Sequence, residues 1–292
     1  MSAVYFLSPL AADASEPAGG YLSTLRPGAE AVISLFDAGI VRGDGIFETL
    51  GVWDGHVQAE AAHLARLAHS AALLELPAPN LAQWSAALAH LAAELPNPGA
   101  GSIRLSLTRG VPGEGPSAWL VADVAPTDYP ERREGIAVVT LQRGLSAFAA
   151  QETPWLLAGA KTLSYALNMA ALREARARGA EDVIFVSTEG LALEGPTSSL
   201  LVLLDGVFVS PPREEAILAG TTVDDAFTWL RAQGHTCVYR ELPAADLPRV
   251  SAAWLLSSLR LAAPLHTLDG VAVPRDREID AALIAALAER TS

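Results

Sequence analysis

Of the 20 lysine and arginine residues, one alone is lysine: Lys161, in Gly159-Ala160-Lys161-Thr162-Leu163-Ser164-Tyr165. Arginine serves as well as lysine for surface charge and ion pairs, but its guanidinium stays protonated at neutral pH. A lysine amine can lose its proton, attack a carbonyl and form a Schiff base. A chain that uses arginine everywhere else therefore points at this position for chemistry that needs an amine.

Other groups could serve the same chemistry. Glu194, in Leu193-Glu194-Gly195-Pro196-Thr197-Ser198-Ser199, is a carboxylate beside a Gly-Pro turn and suits a cationic ring nitrogen. His63 and Arg66 share a helix face, and an arginine there can hold a phosphate through paired hydrogen bonds. Gly220-Thr221-Thr222 opens a helix, where free N–H groups, hydroxyls and the helix dipole favour an anion. Ser257-Ser258 closes a strand and offers a further hydroxyl. Each feature alone fits an ordinary cap, turn or surface role. Together they match the aldehyde, the ring nitrogen and the phosphate of pyridoxal 5′-phosphate.

Gly43-Asp44-Gly45 is not a dinucleotide loop, because it lacks the third glycine and the following helix. No His/Cys cluster has metal-ligand spacing, so no metal is expected. The net charge of −13 and the lack of a basic cluster argue against a nucleic-acid partner. One cysteine, Cys237, excludes an intrachain disulfide and suggests a reducing compartment. Residues 4–7 are too short for a signal core, and no apolar run approaches a membrane span. A soluble cytoplasmic protein without a membrane partner is expected.

The elements that must position these groups follow from periodicity. Asp54-Gly55 reads as a hairpin turn between strands 46–53 and 56–58. Helices are predicted over 59–74 and 81–95. Residues 102–108 alternate, with Ile103, Leu105 and Leu107 on one face, as in a half-buried strand. The segment 125–133 is rich in proline and charge and reads as a linker. Beyond it, strands at 135–141, 182–187, 199–204, 207–210 and 253–257 alternate with helices at 165–178, 222–232 and 278–290. The expected architecture is α/β (α+β) in two lobes: a small N-terminal α/β domain over 1–125, a linker over 126–134, and a larger mixed-sheet domain over 135–292 carrying Lys161.

The order of motifs resembles the fold-type IV pyridoxal-phosphate enzymes, the class-IV aminotransferase family. The resemblance rests on Phe36-Asp37-Ala38-Gly39 with Gly43-Asp44-Gly45-Ile46-Phe47-Glu48-Thr49, then His63-Leu64-Ala65-Arg66-Leu67 and Ser106-Leu107-Thr108-Arg109-Gly110. Lys161, Glu194-Gly195-Pro196-Thr197-Ser198 and Ile217-Leu218-Ala219-Gly220-Thr221-Thr222 follow in order.

The resemblance implies Lys161 as the Schiff-base lysine and Glu194 as the partner of the pyridine nitrogen. Arg66, Thr221, Thr222 and Ser258 would hold the phosphate, and Arg42, Phe47, Arg104 and Arg109 would line the substrate pocket. It also implies a homodimer. The spacing of Lys161 to Tyr165 is closer to the lyase and D-amino-acid branches than to the branched-chain enzymes. A small anionic amine substrate is therefore expected, 4-amino-4-deoxychorismate, losing pyruvate to give 4-aminobenzoate for folate synthesis. Transamination of D-amino or branched-chain amino acids is the alternative, and a cofactor-binding protein without turnover is the third reading. The family's Leu-Pro-Gly-Ile-Thr-Arg pattern is here Leu218-Ala219-Gly220-Thr221-Thr222-Val223, a change expected to alter packing more than phosphate binding.

Overall fold

The computed structural model describes residues 3–30 and 32–290, and its contacts divide the chain into two compact units. The first runs up to Thr127 and takes in Ala160–Ser164, while the second comprises Asp128–Gly159 and Tyr165–Arg290.

The first unit contains β1 (Ala3–Leu7), β2 (Leu25–Pro27), α1 (Ala38–Arg42), β3 (Gly45–Trp53), β4 (His56–Val57), α2 (Glu60–Leu73), α3 (Leu81–Ala93), β5 (Ala100–Val111) and β6 (Gly115–Val124). The strands form one antiparallel sheet in the order β2-β1-β6-β5-β3-β4. Asp54 and Gly55 both take positive φ, 48° and 76°, the backbone a two-residue hairpin requires. The β3–β5 register pairs Ile46 with Leu107, Glu48 with Leu105 and Leu50 with Ile103, so these six side chains share a face. Helix α2 covers that face with His63, Leu64, Leu67, Ser70 and Ala71, at helical spacing. Leu50, Leu67, Ile103 and Leu105 are fully buried, each contributing about 2 kcal/mol on burial.

Helix α3 starts at Asn80, whose side chain accepts from Gln83 N–H at 3.0 Å and donates to the carbonyls of Ala11 and Ala14. Strand β5 was expected to be half-buried. Its second face is covered only towards the C-terminal end: Arg104 is exposed, but Ser106 and Thr108 are buried, and Thr108 Oγ1 donates to Asp37 Oδ2 at 3.0 Å. Asp37 in turn caps α1 by accepting from Gly39 N–H.

The second unit contains α4 (Pro130–Glu134), β7 (Ile136–Gln142), α5 (Ala149–Glu152), α6 (Ala166–Ala177), β8 (Asp182–Val186), β9 (Ser199–Leu204), β10 (Val207–Ser210), α7 (Thr221–Ala232), β11 (Cys237–Tyr239), β12 (Ala252–Ser257), β13 (Leu261–Leu268), β14 (Val271–Ala272) and α8 (Arg277–Ala288). Its mixed sheet runs β11-β10-β9-β12-β13-β7-β8, with β14 on β13. The central strands are apolar throughout because both faces are covered. In β12, Ala253 and Leu255 join a core with Leu200 and Val202, while Trp254 and Leu256 meet α7 and α8 through Val223, Phe227, Leu283 and Leu287.

Two expectations change here. The 126–134 segment is not a plain linker: residues 130–134 are α4, and Arg132 donates to the carbonyls of Leu259 and Arg260 within the second unit. Lys161 belongs to the first unit rather than to the second, because its segment pairs with the free edge of β3. Among the described residues no helix is long and apolar enough to cross a membrane.

Candidate active site

The edge of β3 holds Lys161 through its backbone. Ile46 bridges Thr162, Phe47 N–H donates to the Lys161 carbonyl at 3.0 Å, and Leu163 N–H donates to the Gly45 carbonyl at 2.8 Å. From α2, Ser70 Oγ accepts from Lys161 N–H at 3.1 Å. A Cβ at position 45 would stand 2.8 Å from Leu163 Cδ1 and 2.9 Å from the Leu107 carbonyl oxygen, so this approach needs glycine. The half-buried Lys161 side chain puts Nζ 4.6 Å from the centre of the Phe47 ring.

On the opposite face of β3 lies a buried charge cluster in which Glu48, to which the sequence assigned no role, joins the predicted His63 and Arg66 pair. Arg66 donates to both oxygens of Glu48, from Nε at 2.7 Å and Nη2 at 2.8 Å, and His63 Nδ1 lies 2.7 Å from Glu48 Oε2. Glu48 and His63 are fully buried. A carboxylate only accepts, so His63 Nδ1 carries the proton. Burial alone would push the Glu48 carboxyl up; the Arg66 guanidinium and the bonds from Arg66 and His63 outweigh it and hold the group at about 2. The fork fixes one edge of Arg66 and orients its plane.

The second unit carries the remaining predicted groups. Glu194 Oε2 accepts from Leu218 N–H at 3.1 Å, tying the Glu194 turn to the loop that enters α7. That helix begins at Gly220 with no side-chain cap, and the Thr221 hydroxyl is buried with no hydrogen-bond partner. An orphaned buried hydroxyl beside uncapped helix N–H groups is a fit for a phosphate. Thr222 is buried as well, and Val223 sits in the core against α8, so the departure from the family's arginine is absorbed by packing. Ser258 lies in the turn after β12, whose carbonyls are gripped by Arg132 and Arg290.

The predicted substrate arginines divide. Arg42 and Arg104 are exposed, with Arg104 Cζ 5.3 Å from the Phe47 ring centre. Arg109 is instead a clamp: Nε and Nη2 donate to Asp44, and Nη2 and Nη1 donate to the carbonyls of Leu74 and Glu75. Its Nε, Nη1 and Nη2 are thus all engaged within the unit, whereas Arg104 has no such ties among the described residues.

Residues 45–268 match the model of the class IV amino-transferase family. The chain belongs to this family. Its members depend on pyridoxal 5′-phosphate. A Mycobacterium tuberculosis relative, a bifunctional aminodeoxychorismate lyase / D-amino acid transaminase, is 44% identical over 268 residues, covering 86% of this chain and 90% of the relative. The D-alanine aminotransferase of Bacillus licheniformis is 25% identical over 250 residues, 82% of this chain and 84% of its own length. Among solved structures, the fold IV-transaminase CpuTA1 of Curtobacterium pusillum superposes with TM-score 0.93 at 44% identity, covering 99% of this chain and 98% of that one. The PLP-bound form of a hypothetical aminotransferase from M. tuberculosis gives 0.86 at 40% identity, covering 98% and 99%. The mixed α/β architecture is thus that of fold-type IV, and the chain is a pyridoxal-phosphate-dependent class IV enzyme.

Proposed function

We propose that this class IV enzyme is a 4-amino-4-deoxychorismate lyase that also transfers amino groups between D-amino acids and 2-oxo acids. The observation that carries the reading is the 44% identity, over nearly the full length of both chains, to a relative named for both activities. The site residues support it: one lysine amine, a carboxylate, an arginine fixed by Glu48, and a helix start with an orphaned hydroxyl.

When bound, the cofactor supplies an aldehyde that takes an amine covalently and a cationic ring that accepts the electrons of a broken bond. Lys161 would hold the cofactor through its aldehyde, and its free amine would be the base for the proton on the amine-bearing carbon of the substrate. Glu194 holds a proton on the ring nitrogen. Arg66, Thr221, Thr222 and Ser258 bind the phosphate. Arg42 and Arg104 meet the substrate carboxylates and Phe47 lines the pocket; a dianion approaching a protein of net charge −13 needs such local cations.

The two activities share the proton removal by Lys161 and part afterwards. In the lyase the three-carbon side chain leaves as pyruvate and the substrate ring becomes aromatic. In the transaminase Lys161 would return the proton to a different carbon, and water would supply the oxygen of the departing 2-oxo acid. The names of the M. tuberculosis and B. licheniformis relatives favour this second course as a companion activity. An exposed apolar run in the first unit, with Leu35 78% and Phe36 77% accessible, supports a homodimer. The single cysteine supports a cytoplasmic setting.

The test is product analysis of the purified enzyme. 4-Amino-4-deoxychorismate should yield equimolar 4-aminobenzoate and pyruvate, and D-alanine with 2-oxoglutarate should yield pyruvate and glutamate. Transamination without any 4-aminobenzoate would reject the lyase.

A further inference from the structure

The turn after β12 contributes three consecutive backbone carbonyls, and arginine side chains from distant parts of the second unit hold all three. Arg132 on α4 donates from Nη2 to the Leu259 carbonyl at 2.6 Å and from Nε to the Arg260 carbonyl at 3.1 Å. Arg290, just past α8, donates from Nη2 to the Ser258 carbonyl at 3.3 Å. A trans peptide points its N–H opposite to its C=O, so gripping the carbonyls turns the following amides the other way. Arg260 N–H goes to Ser257 Oγ at 3.3 Å, and Leu259 N–H meets no acceptor among the described residues. The conformation of the turn, and with it the position of Ser258, is set from behind by two cations.

Arg290 does a second thing. Its Nη1 donates to Asp225 Oδ2 at 3.0 Å, and Asp225 stands one helical turn after Thr221 in α7. One guanidinium therefore joins the second turn of α7, directly behind Thr221, to the turn carrying Ser258. It does so in a dry place: the Arg290 side chain is 6% exposed, and its Nε has no partner. A buried arginine with one donor unmet costs free energy that a solvated arginine would not. The packing of Leu283 and Leu287 of α8 on Val223, Ala226 and Phe227 of α7 carries the chain to this point.

We propose that Arg290 and Arg132 are positioning residues of the phosphate site: they lock the Ser258–Arg260 turn, and Arg290 joins it through Asp225 to the α7 start, so both halves of the site hold one geometry. This rests on the reading of Thr221, Thr222 and Ser258 as phosphate-binding.

Equilibrium binding of pyridoxal 5′-phosphate and of pyridoxal, which lacks only the phosphate, to full-length apoenzyme tests it, with thermal melts as the check on folding. Arg290→Met and Arg132→Met should each weaken pyridoxal 5′-phosphate about tenfold or more while pyridoxal stays within about twofold. Arg132→Lys and Arg290→Lys, which keep the charge but lack the fork, should lower the affinity ratio by a smaller factor and serve where the methionine variants fail to fold. Inorganic phosphate should raise the melting temperature of wild-type apoenzyme more than that of either arginine variant. An unchanged affinity ratio in the arginine variants, with a reduced one in Thr221→Val, would overturn the proposal and leave the phosphate reading standing. A wild-type enzyme that binds the two ligands equally would overturn the phosphate reading, and the proposal with it.

Discussion

Phe47 and Lys161 are joined at two levels: the Phe47 amide donates to the Lys161 carbonyl at 3.0 Å, and the Lys161 ammonium stands 4.6 Å from the Phe47 ring centre. The backbone bond sets where the lysine is, and the ring face sets where its amine rests. A contact of this kind contributes about 0.5–2 kcal/mol. Phe47→Leu keeps the backbone bond and loses the ring, so turnover should fall about 3- to 30-fold with cofactor still bound. Single-turnover absorbance kinetics would check it, and wild-type rates would remove Phe47 from the site.

Lys161→Ala removes the one side-chain amine of the chain. Borohydride reduction followed by peptide mass spectrometry should label residue 161 with the cofactor in wild type and label nothing in the variant. Because backbone groups tie the segment to β3 and to Ser70, the variant should melt within a few degrees of wild type. Label elsewhere in the wild-type chain would contradict the role of Lys161.

Glu48 gives a signed pH effect. Its carboxyl lies at about 2 in the folded protein against an ordinary 4.5, with burial opposing and Arg66 and His63 producing the shift. A depressed carboxyl stabilises the fold above the unfolded value, and the gain is lost as pH falls from about 5 towards 2. The shift corresponds to about 3 kcal/mol. Denaturant titrations of wild type should show that loss, and Glu48→Gln, which leaves Arg66 without its carboxylate, should be less stable by about 3–5 kcal/mol at pH 7 with a flatter acid limb.

Lys161 was visible as a candidate in the sequence because its type is unique there, and Glu194, Thr221 and Thr222 because turn and cap residues announce themselves locally. Glu48 was not: a carboxylate in an alternating strand looks solvated until α2 brings Arg66 and His63 over it. The reach of Arg132 and Arg290 was invisible for a related reason, since their acceptors are backbone carbonyls, which every residue has. The assignment of Lys161 to the wrong lobe has the same origin. Chain order puts it after the boundary, whereas membership is decided by edge pairing with β3, a contact between residues more than a hundred positions apart. Strands β6 and β13 were missed because their partners, rather than a clean alternation, specify them.

The two arginines of β5 should respond differently. Arg109 is tied to Asp44 and to the carbonyls of Leu74 and Glu75, whereas Arg104 is exposed and makes no ion pair among the described residues. Arg109→Met should cost about 1 kcal/mol of stability, since the Asp44 pair is partly solvated, and leave KM within about twofold. Arg104→Met should raise KM for the dianionic substrate about tenfold with little change in melting temperature. The reverse pattern would return Arg109 to the substrate site.

Glu215 tests the opposite sign. It sits in the loop before α7, is buried, and neither carboxylate oxygen has a hydrogen-bond partner. Burial first, then repulsion from Glu241, Glu189 and Glu214, lifts it from 4.5 to about 7. The folded state therefore holds its proton more tightly than the unfolded chain does. There is no penalty below about pH 4.5; stability is lost as pH rises from there to about 7, and the full cost, up to about 3 kcal/mol, applies above it. Glu215→Gln cannot ionise, so it should raise the melting temperature clearly at pH 8 and hardly at pH 5. An equal shift at both values would mean that the carboxyl titrates as an ordinary glutamate and that the loop before α7 carries no buried acid.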